Sequence, residues 1–383
     1  MNWKIPLFKI YWDKQDVAKI TEVIKSSMNW ATGPNVQEFE ARLTHYIGTE
    51  YAVAFSSGTS ALHAILAAYG IGKGDEVIVP SFTFIATANA PLFVGAIPVF
   101  ADIEENTYGL DPEDMKKKIT SRTKAILPVH YAGCPCLIRE LKKIAEERKL
   151  ILIEDAAEAI GAAVNGKKVG SFGDAAILSF CQNKVITTGE GGAVVTNSNE
   201  IYESLKLLRS HGRAETSDYF ATSETQDYVT LGYNFRMSNI VAALGIGQLE
   251  KIDKIISMRR KNAERISSAL SGIPEIELPS SPDGFFHVYQ IYTIRIKAGR
   301  KQRDALSGYL TRKGIMTKVY FSPVHLTHFY KNKLGYSVKL PVTERLSGQV
   351  LTLPMYPTLT EEEIDYIAGE VRAFFKGVQE RGK

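Results

Sequence analysis

The sequence has few cysteines, no apolar segment long enough to cross a membrane, and no internal repeat. Only three of its 383 residues are cysteines, Cys134, Cys136 and Cys181. Their number is odd, their spacing is not that of metal ligands, and no segment reads as a signal peptide. These absences argue against a disulfide-stabilised secreted protein, a metal site and a membrane-spanning protein. They predict a cytoplasmic protein without a metal and without a membrane partner.

The excess of positive charge is also small. Lysine and arginine number 46 against 42 acidic residues, which gives a formal charge of +4. Acidic and basic residues are interspersed, which indicates a solvated surface rather than a nucleic-acid-binding face. A small anionic substrate is compatible with this balance. At this length we expect about two domains.

Apolar strands alternate with helical segments over the first two thirds of the chain. Strands are predicted at 51–55, 76–80, 97–103, 124–133, 149–157, 175–180 and 191–196, and helices at 13–27, 36–48, 199–212 and within 237–275. This alternation predicts an α/β domain with a mainly parallel sheet covered on both faces. Beyond about residue 255 the pattern changes to a strand at 289–296 and a helix at 300–314. We therefore predict a large domain over 1–254 and a smaller C-terminal α+β domain over 255–383.

One candidate site is the turn Ser57-Gly58-Thr59, where a predicted strand leads into a predicted helix that ends at Gly70. The N-terminus of a helix offers unpaired N–H groups and a favourable dipole to a phosphate, and a glycine lets the backbone approach closely. Serine and threonine at this position also serve as an ordinary helix cap. Taken alone, the turn favours the cap.

Two charged residues follow other predicted strands. Asp155 ends the apolar run LILIED, and Lys184 lies in SFCQNKVITTGEGG just past the strand at 175–180. Open α/β sheets bind ligands at the carboxyl ends of their strands. A phosphate site, a carboxylate and a lysine at one such edge suit pyridoxal phosphate, whose aldehyde bonds to a lysine and whose ring nitrogen pairs with an acid. No Walker-type loop competes, because the glycines of 70–76 precede a strand and indicate a turn.

Ordered motifs along nearly the whole chain make the assignment more specific. They are TGP (32–34), SSGTSALHAIL (56–66), PSFTFIATANA (80–90), PVHYAG (128–133), IEDAAEAIGA (153–162), NKVITTGEGG (183–192) and LGYNFRMSN (231–239). With them the chain resembles the DegT/DnrJ-type sugar aminotransferases, and among these the perosamine synthases. The resemblance implies the aspartate-aminotransferase fold and pyridoxal 5′-phosphate as cofactor.

The resemblance also implies which residues hold the cofactor. Lys184 matches the lysine that forms the Schiff base, and Asp155 matches the partner of the pyridinium nitrogen. Gly58, Thr59 and Ser179 match the residues that bind the phosphate. A branch of the family with histidine in place of the lysine catalyses dehydration, and Lys184 argues against that branch.

For further residues the resemblance implies a functional role, and a simpler structural role is the alternative. Phe84 would stack on the cofactor ring, although one more core phenylalanine is a serious rival. Asn234 and Arg236 would reach the cofactor from a neighbouring subunit, in a homodimer with shared active sites, or would form only a polar turn before a helix. Thr32 and His325 would contact the substrate, and His325 could instead simply pack.

The sequence departs from the common pattern of the family at two positions. Glu158 stands where many relatives have a glutamine that contacts the cofactor, and Cys181 stands where histidine, tyrosine or asparagine is common. We expect Glu158 to contact the cofactor, and we hypothesise that it is protonated because an ionised carboxylate would repel Asp155. The alternative is that Glu158 points away and binds a backbone amide or an arginine. His287 could contact the sugar nucleotide or only pack, and packing is slightly favoured.

The implied reaction is a ping-pong transamination by a Schiff-base mechanism. Glutamate would give up its amino group and leave as 2-oxoglutarate. An NDP-4-keto-6-deoxyhexose would accept the amino group, as in the synthesis of amino sugars for polysaccharides. Two alternatives stay open: an acceptor that is a 3-keto sugar or an inosose, and a cofactor-bearing regulatory protein without turnover. The joint presence of Lys184, Asp155 and the phosphate site favours an enzyme.

Overall fold

A computed structural model describes residues 3–214, 223 and 225–381. The helices are α1 Lys14–Lys25, α2 Pro34–Ile47, α3 Gly58–Ala68, α4 Ile85–Phe93, α5 Pro112–Lys118, α6 Ile138–Arg148, α7 Asn199–Arg209, α8 Asn239–Leu249, α9 Ile252–Leu270, α10 Arg300–Arg312, α11 Pro341–Ser347 and α12 Glu361–Arg381. The strands are β1 Tyr51–Phe55, β2 Glu76–Pro80, β3 Ile97–Ala101, β4 Thr123–Ile126, β5 Ile151–Asp155, β6 Ala163–Val164, β7 Lys167–Lys168, β8 Ala175–Ser179, β9 Gly192–Thr196, β10 Ile276–Glu277, β11 Phe285–Phe286, β12 Tyr292–Ile296 and β13 Val350–Leu353.

A seven-stranded sheet with the order β1-β9-β8-β5-β4-β2-β3 forms the centre of the molecule. Only β9 runs against its neighbours, pairing antiparallel with both β1 and β8. The pairs from β8 to β3 are parallel. The predicted α/β fold with a mainly parallel sheet is therefore confirmed. Each predicted strand segment overlaps a strand, but β4 covers only the beginning of the segment predicted at 124–133.

Both faces of this sheet are buried. Successive residues of β1 point to opposite faces, as the two-residue period of a strand requires. Val53 and Phe55 join the core that contains α3 and α4, whereas Ala52 and Ala54 join the core that contains α2 and α8. Burial on both faces explains why these strands read as continuous apolar runs in the sequence.

A second, three-stranded antiparallel sheet with the order β10-β12-β13 lies in the C-terminal part. It shares a core with α10 and α12. Helix α9 belongs to two cores, because Ile252 and Ile255 pack with the large sheet while Ile266 and Leu270 pack with the C-terminal sheet. The division between domains at residue 255 falls inside this helix and stays a prediction. Of the described helices, none combines the length and the apolar character that a membrane span requires.

His287 is buried next to the C-terminal sheet. Its imidazole stacks on Tyr289 with 4.0 Å between ring centroids, and its Nδ1 accepts a hydrogen bond of 2.9 Å from the Tyr289 N–H. Burial, together with the nearby charge of Arg260, lowers the pKa of His287 to about 3. This environment agrees with a packing role for the neutral ring.

The depressed pKa of His287 predicts a loss of stability in acid. An unfolded chain binds a proton at His287 near pH 6.5, whereas the folded chain does not until about pH 3. The stabilisation is therefore complete above pH 6.5 and is lost as the pH falls toward 3. Between pH 7 and 5 we expect this residue to account for about 2 kcal/mol of the decrease in unfolding free energy.

Urea denaturation at pH 7, 6 and 5 measures this effect. His287→Asn keeps an acceptor near the position of Nδ1, so we expect a flatter dependence on pH in this variant. His45→Asn, at an exposed helical position, should keep the slope of the wild type. Equal slopes in His287→Asn and the wild type would contradict the assignment.

Candidate active site

A cavity of about 460 Å³ opens at the carboxyl ends of β1, β2, β5 and β8. Parallel strands bring these ends to one edge of the sheet, where open α/β folds bind their ligands. The sequence-predicted residues in its wall are Gly58, Thr59, Phe84, Asp155, Glu158, Ser179 and Lys184. The structure thus brings the three candidate sites of the sequence into one place.

The start of α3 forms one wall of the cavity. Ser57 caps the helix, because its Oγ accepts a hydrogen bond of 3.0 Å from the Ser60 N–H and Ser60 Oγ accepts one of 3.0 Å from the Ser57 N–H. The first hydrogen bond of the helix runs from Ala61 N to Ser57 O, so the N–H groups of Gly58 and Thr59 precede it and can bind an anion. The helix cap and the anion site therefore use different residues of the same turn.

Gly58 keeps the space in front of these N–H groups open. A Cβ atom at this position would lie 3.1 Å from Cβ and 3.3 Å from Oγ of Ser179, which ends β8. A side chain here would crowd the Ser179 hydroxyl. Gly58, Thr59 and Ser179 together form a small cradle of donors with the size and polarity that a phosphate group requires.

Asp155 is a buried carboxylate at the end of β5, with 4% of its surface exposed. Its Oδ2 accepts a hydrogen bond of 2.7 Å from the Thr87 hydroxyl, and its Oδ1 accepts one of 3.1 Å from the Ala157 N–H. Burial raises the pKa of Asp155, while these two donors and the charge of Lys184 act in the opposite direction. A cationic ring nitrogen placed in the cavity would stabilise the ionised form of this acid.

Lys184 and Glu158 lie next to each other in the wall of the cavity. Nζ of Lys184 lies 3.6 Å from Oε1 of Glu158, and the lysine side chain is only 12% exposed. Oε2 of Glu158 accepts a hydrogen bond of 3.0 Å from the Ala132 N–H. Glu158 thus lines the cavity, as a residue that contacts the cofactor would. It also binds a backbone amide, as in the alternative that the sequence left open. Whether it carries a proton in the working enzyme stays a hypothesis.

Glu158→Gln tests that hypothesis. If Glu158 is protonated during turnover, the glutamine should keep most of the activity at neutral pH, because it has nearly the same shape and likewise carries no charge. The measurement is the rate of transamination between pH 6 and 10. Glu158→Ala, which lacks the acceptor for the Ala132 N–H, serves as the control and should lose activity at every pH. A large loss in Glu158→Gln at neutral pH would show that the carboxylate charge is needed.

Phe84 lies at the mouth of the cavity and is 60% exposed. This exposure argues against the alternative of a core phenylalanine. Its ring faces Phe321 of the C-terminal part, with 6.3 Å between ring centroids. The two rings border the space in which a flat cofactor ring would lie.

Four predicted residues lie outside the wall of this cavity. Asn234 is exposed, and Arg236 donates a hydrogen bond of 3.2 Å from Nη1 to the Ser210 hydroxyl. Their segment runs beside the end of β1, where Arg236 pairs with Phe55 and the Ser56 N–H donates to the carbonyl of Phe235. The other two residues are His325 and Thr32. The predicted functions of all four stay predictions.

The environment of His325 differs from that expected of a substrate-binding residue. Its imidazole is buried, with Nδ1 at 2.6 Å from the hydroxyl of Ser81 and Nε2 at 3.4 Å from Glu344. Ser81 precedes Thr83 and Phe84 of the cavity wall. In this structure His325 therefore contacts the loop that follows β2 and does not line the cavity. Thr32 is half-buried just before α2.

Several cavity residues were not predicted from the sequence. Thr83 and Thr87 have a visible signal, because they lie four residues apart in a motif that was identified, with Thr83 just before α4 and Thr87 in its first turn. Lys318, Tyr320 and Phe321 also line the cavity. They come from the C-terminal part, and no local pattern of the sequence connects them with the strand ends.

Solved structures of similar fold define the class of the protein. PseC of Helicobacter pylori, an aminotransferase involved in the biosynthesis of pseudoaminic acid, is 30% identical with a TM-score of 0.91, covering 97% of this chain and 99% of that chain. The PLP form of the putative sugar aminotransferase Spr1654 from Streptococcus pneumoniae is 28% identical with a TM-score of 0.90, covering 99% of each chain. Fold and site thus define a pyridoxal-phosphate-dependent aminotransferase.

The family follows from the sequence match. The model of the DegT/DnrJ/EryC1/StrS aminotransferase family matches residues 11–372, so the chain belongs to this family. GDP-perosamine synthase of Vibrio cholerae is 37% identical over 372 residues, which cover 97% of this chain and 99% of that protein. The predicted resemblance is confirmed, and the protein is a sugar aminotransferase.

Proposed function

We propose that this aminotransferase moves the amino group of L-glutamate to the keto group of a sugar nucleotide, an NDP-4-keto-6-deoxyhexose, with pyridoxal 5′-phosphate as cofactor. The observation that carries the proposal is one cavity that contains the amine of Lys184, the carboxylate of Asp155 and the N-terminus of α3. The relative from Vibrio cholerae is named as a synthase of a GDP-linked sugar, which supports a nucleotide-linked acceptor.

The donors and acceptors of the cavity fit the cofactor at each of its polar groups. The N–H groups of Gly58 and Thr59 and the hydroxyl of Ser179 would bind the phosphate. Asp155 would pair with the ring nitrogen, and Phe84 would cover one face of the ring. When bound, the cofactor supplies a ring that withdraws electrons from the substrate carbon.

Lys184 is the residue that would transfer the proton of the substrate α-carbon. Its Nζ lies at the end of the β8 strand beside Glu158, 3.6 Å from Oε1, within the same cavity wall as Asp155. A neutral amine at Nζ would accept the proton of the substrate α-carbon and deliver it to the reactive carbon of the cofactor. Glu158 and the partial burial of the lysine side chain keep Nζ directed into the cavity and limit the access of water.

Lys318 supports an anionic substrate. It lies in the cavity wall with its Nζ 4.8 Å from the centre of the Tyr320 ring, on the side of the C-terminal part. The other lining residues that can carry a charge are Asp155, Glu158, Glu190 and Lys184. Once Lys184 is engaged with the cofactor, Lys318 is the cation in this part of the described cavity wall that can pair with a carboxylate or a phosphate of the substrate.

The direct test is incubation of the purified protein and pyridoxal phosphate with glutamate and a panel of nucleotide-linked ketosugars. GDP- and dTDP-linked 4-keto-6-deoxyhexoses are the acceptors to be tested first. The alternative acceptors are 3-keto sugars and an inosose. Mass spectrometry should detect the amino sugar, and an equal amount of 2-oxoglutarate should appear. Release of 2-oxoglutarate without any acceptor separates an enzyme from a regulatory protein. No release with any amino acid would contradict the proposal.

We further propose that the protein is a homodimer whose active sites are shared. Asn234 does not line the cavity of its own subunit and is exposed. Three apolar side chains close to it in the sequence, Tyr228, Val229 and Leu231, are also exposed, Leu231 by 74%. Apolar groups exposed together mark a surface that a partner covers. A second copy there would bring Asn234 and Arg236 toward the neighbouring cavity.

Hybrid dimers test the shared site. Lys184→Ala and Asn234→Ala should each be inactive, and mixing them through reversible unfolding should restore activity. In a hybrid dimer one of the two sites keeps both residues, so we expect about a quarter of the wild-type activity at equal mixing. Differently tagged subunits verify that hybrids form. Hybrids without any recovered activity would contradict a site built across the interface.

We assign the protein to the cytoplasm. All three cysteines are free, and Cys134 and Cys136 are buried. Burial raises the pKa of the Cys134 thiol to about 12, so this thiol is unreactive. Unpaired cysteines of this kind are typical of proteins from a reducing compartment.

A further inference from the structure

Two buried threonines stand behind the carboxylate of Asp155. Thr83 precedes α4 and Thr87 lies in its first turn, and their side chains are 3% and 1% exposed. The hydroxyl oxygens of Thr83 and Thr87 are 2.8 Å apart, and the Thr87 hydroxyl lies 2.7 Å from Oδ2 of Asp155. The three side chains form a continuous row of hydrogen bonds at the wall of the cavity.

The hydrogen bonds of this row can run in only one direction, from donor to acceptor. An ionised carboxylate can only accept, so Thr87 must donate its single hydroxyl proton to Asp155. Thr87 then has no proton left for Thr83, so Thr83 must donate to Thr87. The second carboxylate oxygen, Oδ1, receives the N–H of Ala157 at 3.1 Å. Donors on two sides therefore fix the plane of the carboxyl group.

We propose that Thr83 and Thr87 are positioning residues, which hold Asp155 ionised and oriented toward the ring nitrogen of the cofactor. The proposal rests on the proposed binding of pyridoxal phosphate in this cavity. Hydrogen bonds in a row polarise one another, so the outer threonine strengthens the bond made by the inner one.

The other groups around Asp155 show why such donors are needed. Burial raises the pKa of Asp155, and the carboxylate of Glu158 acts in the same direction. Lys184 lowers this pKa, but in the working enzyme its amine is engaged with the cofactor. The hydroxyl of Thr87 and the N–H of Ala157 are then the neighbouring protein groups that favour the ionised acid.

Three substitutions separate the effect of the hydroxyls from the effect of packing. Thr87→Val has nearly the same shape and lacks the hydroxyl, Thr87→Ser keeps it, and Thr83→Val removes only the outer donor. We expect the dissociation constant of pyridoxal phosphate to rise roughly tenfold or more in Thr87→Val, because a hydrogen bond to a charged group is lost. Thr83→Val should show a rise of roughly two- to fivefold, and Thr87→Ser should resemble the wild type.

The second measurement is the pH dependence of the bound cofactor, followed by its visible absorption. A carboxylate loses its charge as the pH falls, so the cofactor should dissociate on the acid side of the profile. Without the Thr87 hydroxyl the pKa of Asp155 is higher, so in Thr87→Val this acid limb should move to higher pH by about one unit. Thr87→Ser should keep the limb of the wild type. A purely structural role of Thr87 would not move it.

A control threonine identifies effects of stability alone. Thr196 is buried in β9, and its hydroxyl donates a hydrogen bond of 2.8 Å to the carbonyl of Asp174. Thr196→Val should lower the unfolding temperature of the apoprotein without changing cofactor affinity or the acid limb. If Thr87→Val does not fold, Thr83→Val and Thr87→Ser still give the expected order of affinities.

Wild-type affinity and a wild-type acid limb in Thr87→Val would overturn the positioning role while leaving the proposed function intact. Equal affinities of Thr83→Val and wild type would remove Thr83 from the proposal. A wild-type protein that does not bind pyridoxal phosphate would instead overturn the proposed function, so the two failures are distinguishable.

Discussion

Lys184→Ala is expected to abolish transamination. The substitution removes the amine that lies 3.6 Å from Glu158 in the wall of the cavity that also contains Asp155. Loss of a positioned general base alone costs roughly 10²- to 10⁴-fold in rate, and loss of the covalent attachment of the cofactor adds to it. The measurement is the release of 2-oxoglutarate from glutamate in a single turnover.

Borohydride gives a second readout of the same residue. Reduction of the wild-type protein loaded with cofactor should fix the cofactor to the peptide that contains Lys184, and Lys184→Ala should show no label. Lys184→Arg keeps a cation opposite Glu158 and tests whether the charge suffices. Lys297→Ala, at an exposed position outside the cavity, should be fully active. Full turnover in Lys184→Ala would end the assignment.

Asp155→Asn is expected to have the second largest effect. The amide has nearly the same shape, but it carries no charge to stabilise a protonated ring nitrogen. Removing one partner of a buried charge pair costs about 3–5 kcal/mol, which corresponds to a decrease of roughly 10²- to 10⁴-fold in kcat/KM. The measurement is kcat/KM for glutamate at saturating cofactor.

Asp155→Glu is the matched control, because it keeps the charge and shifts its position. We expect it to retain more activity than Asp155→Asn but to bind the cofactor less tightly than the wild type, since its carboxylate no longer aligns with Thr87 and Ala157. Wild-type kcat/KM in Asp155→Asn would show that the charge of this residue is not needed.

The sequence by itself determined the layers of the fold and the chemical groups of the site. Strands buried on both faces are mostly apolar, so β1, β2, β5 and β8 are visible in the sequence as predominantly apolar segments. Residues at or after the ends of such strands meet at one edge of a parallel sheet. This is why Gly58, Asp155 and Lys184 could be placed together from the sequence. The cap at Ser57 was visible because capping depends on neighbours in the sequence.

The tertiary structure decided which of these groups touch one another. Nothing in the sequence sets the 3.6 Å between Lys184 and Glu158, or pairs His325 with Ser81, because loop lengths and helix packing fix such distances. The four-residue spacing of Thr83 and Thr87 indicates that their side chains can lie near each other. It does not indicate that Thr87 contacts Asp155. Tyr320 and Phe321 reach the cavity only because the C-terminal part packs over the strand ends. Periodicity reports which face of an element is buried, and only the packed chain determines what that face contacts.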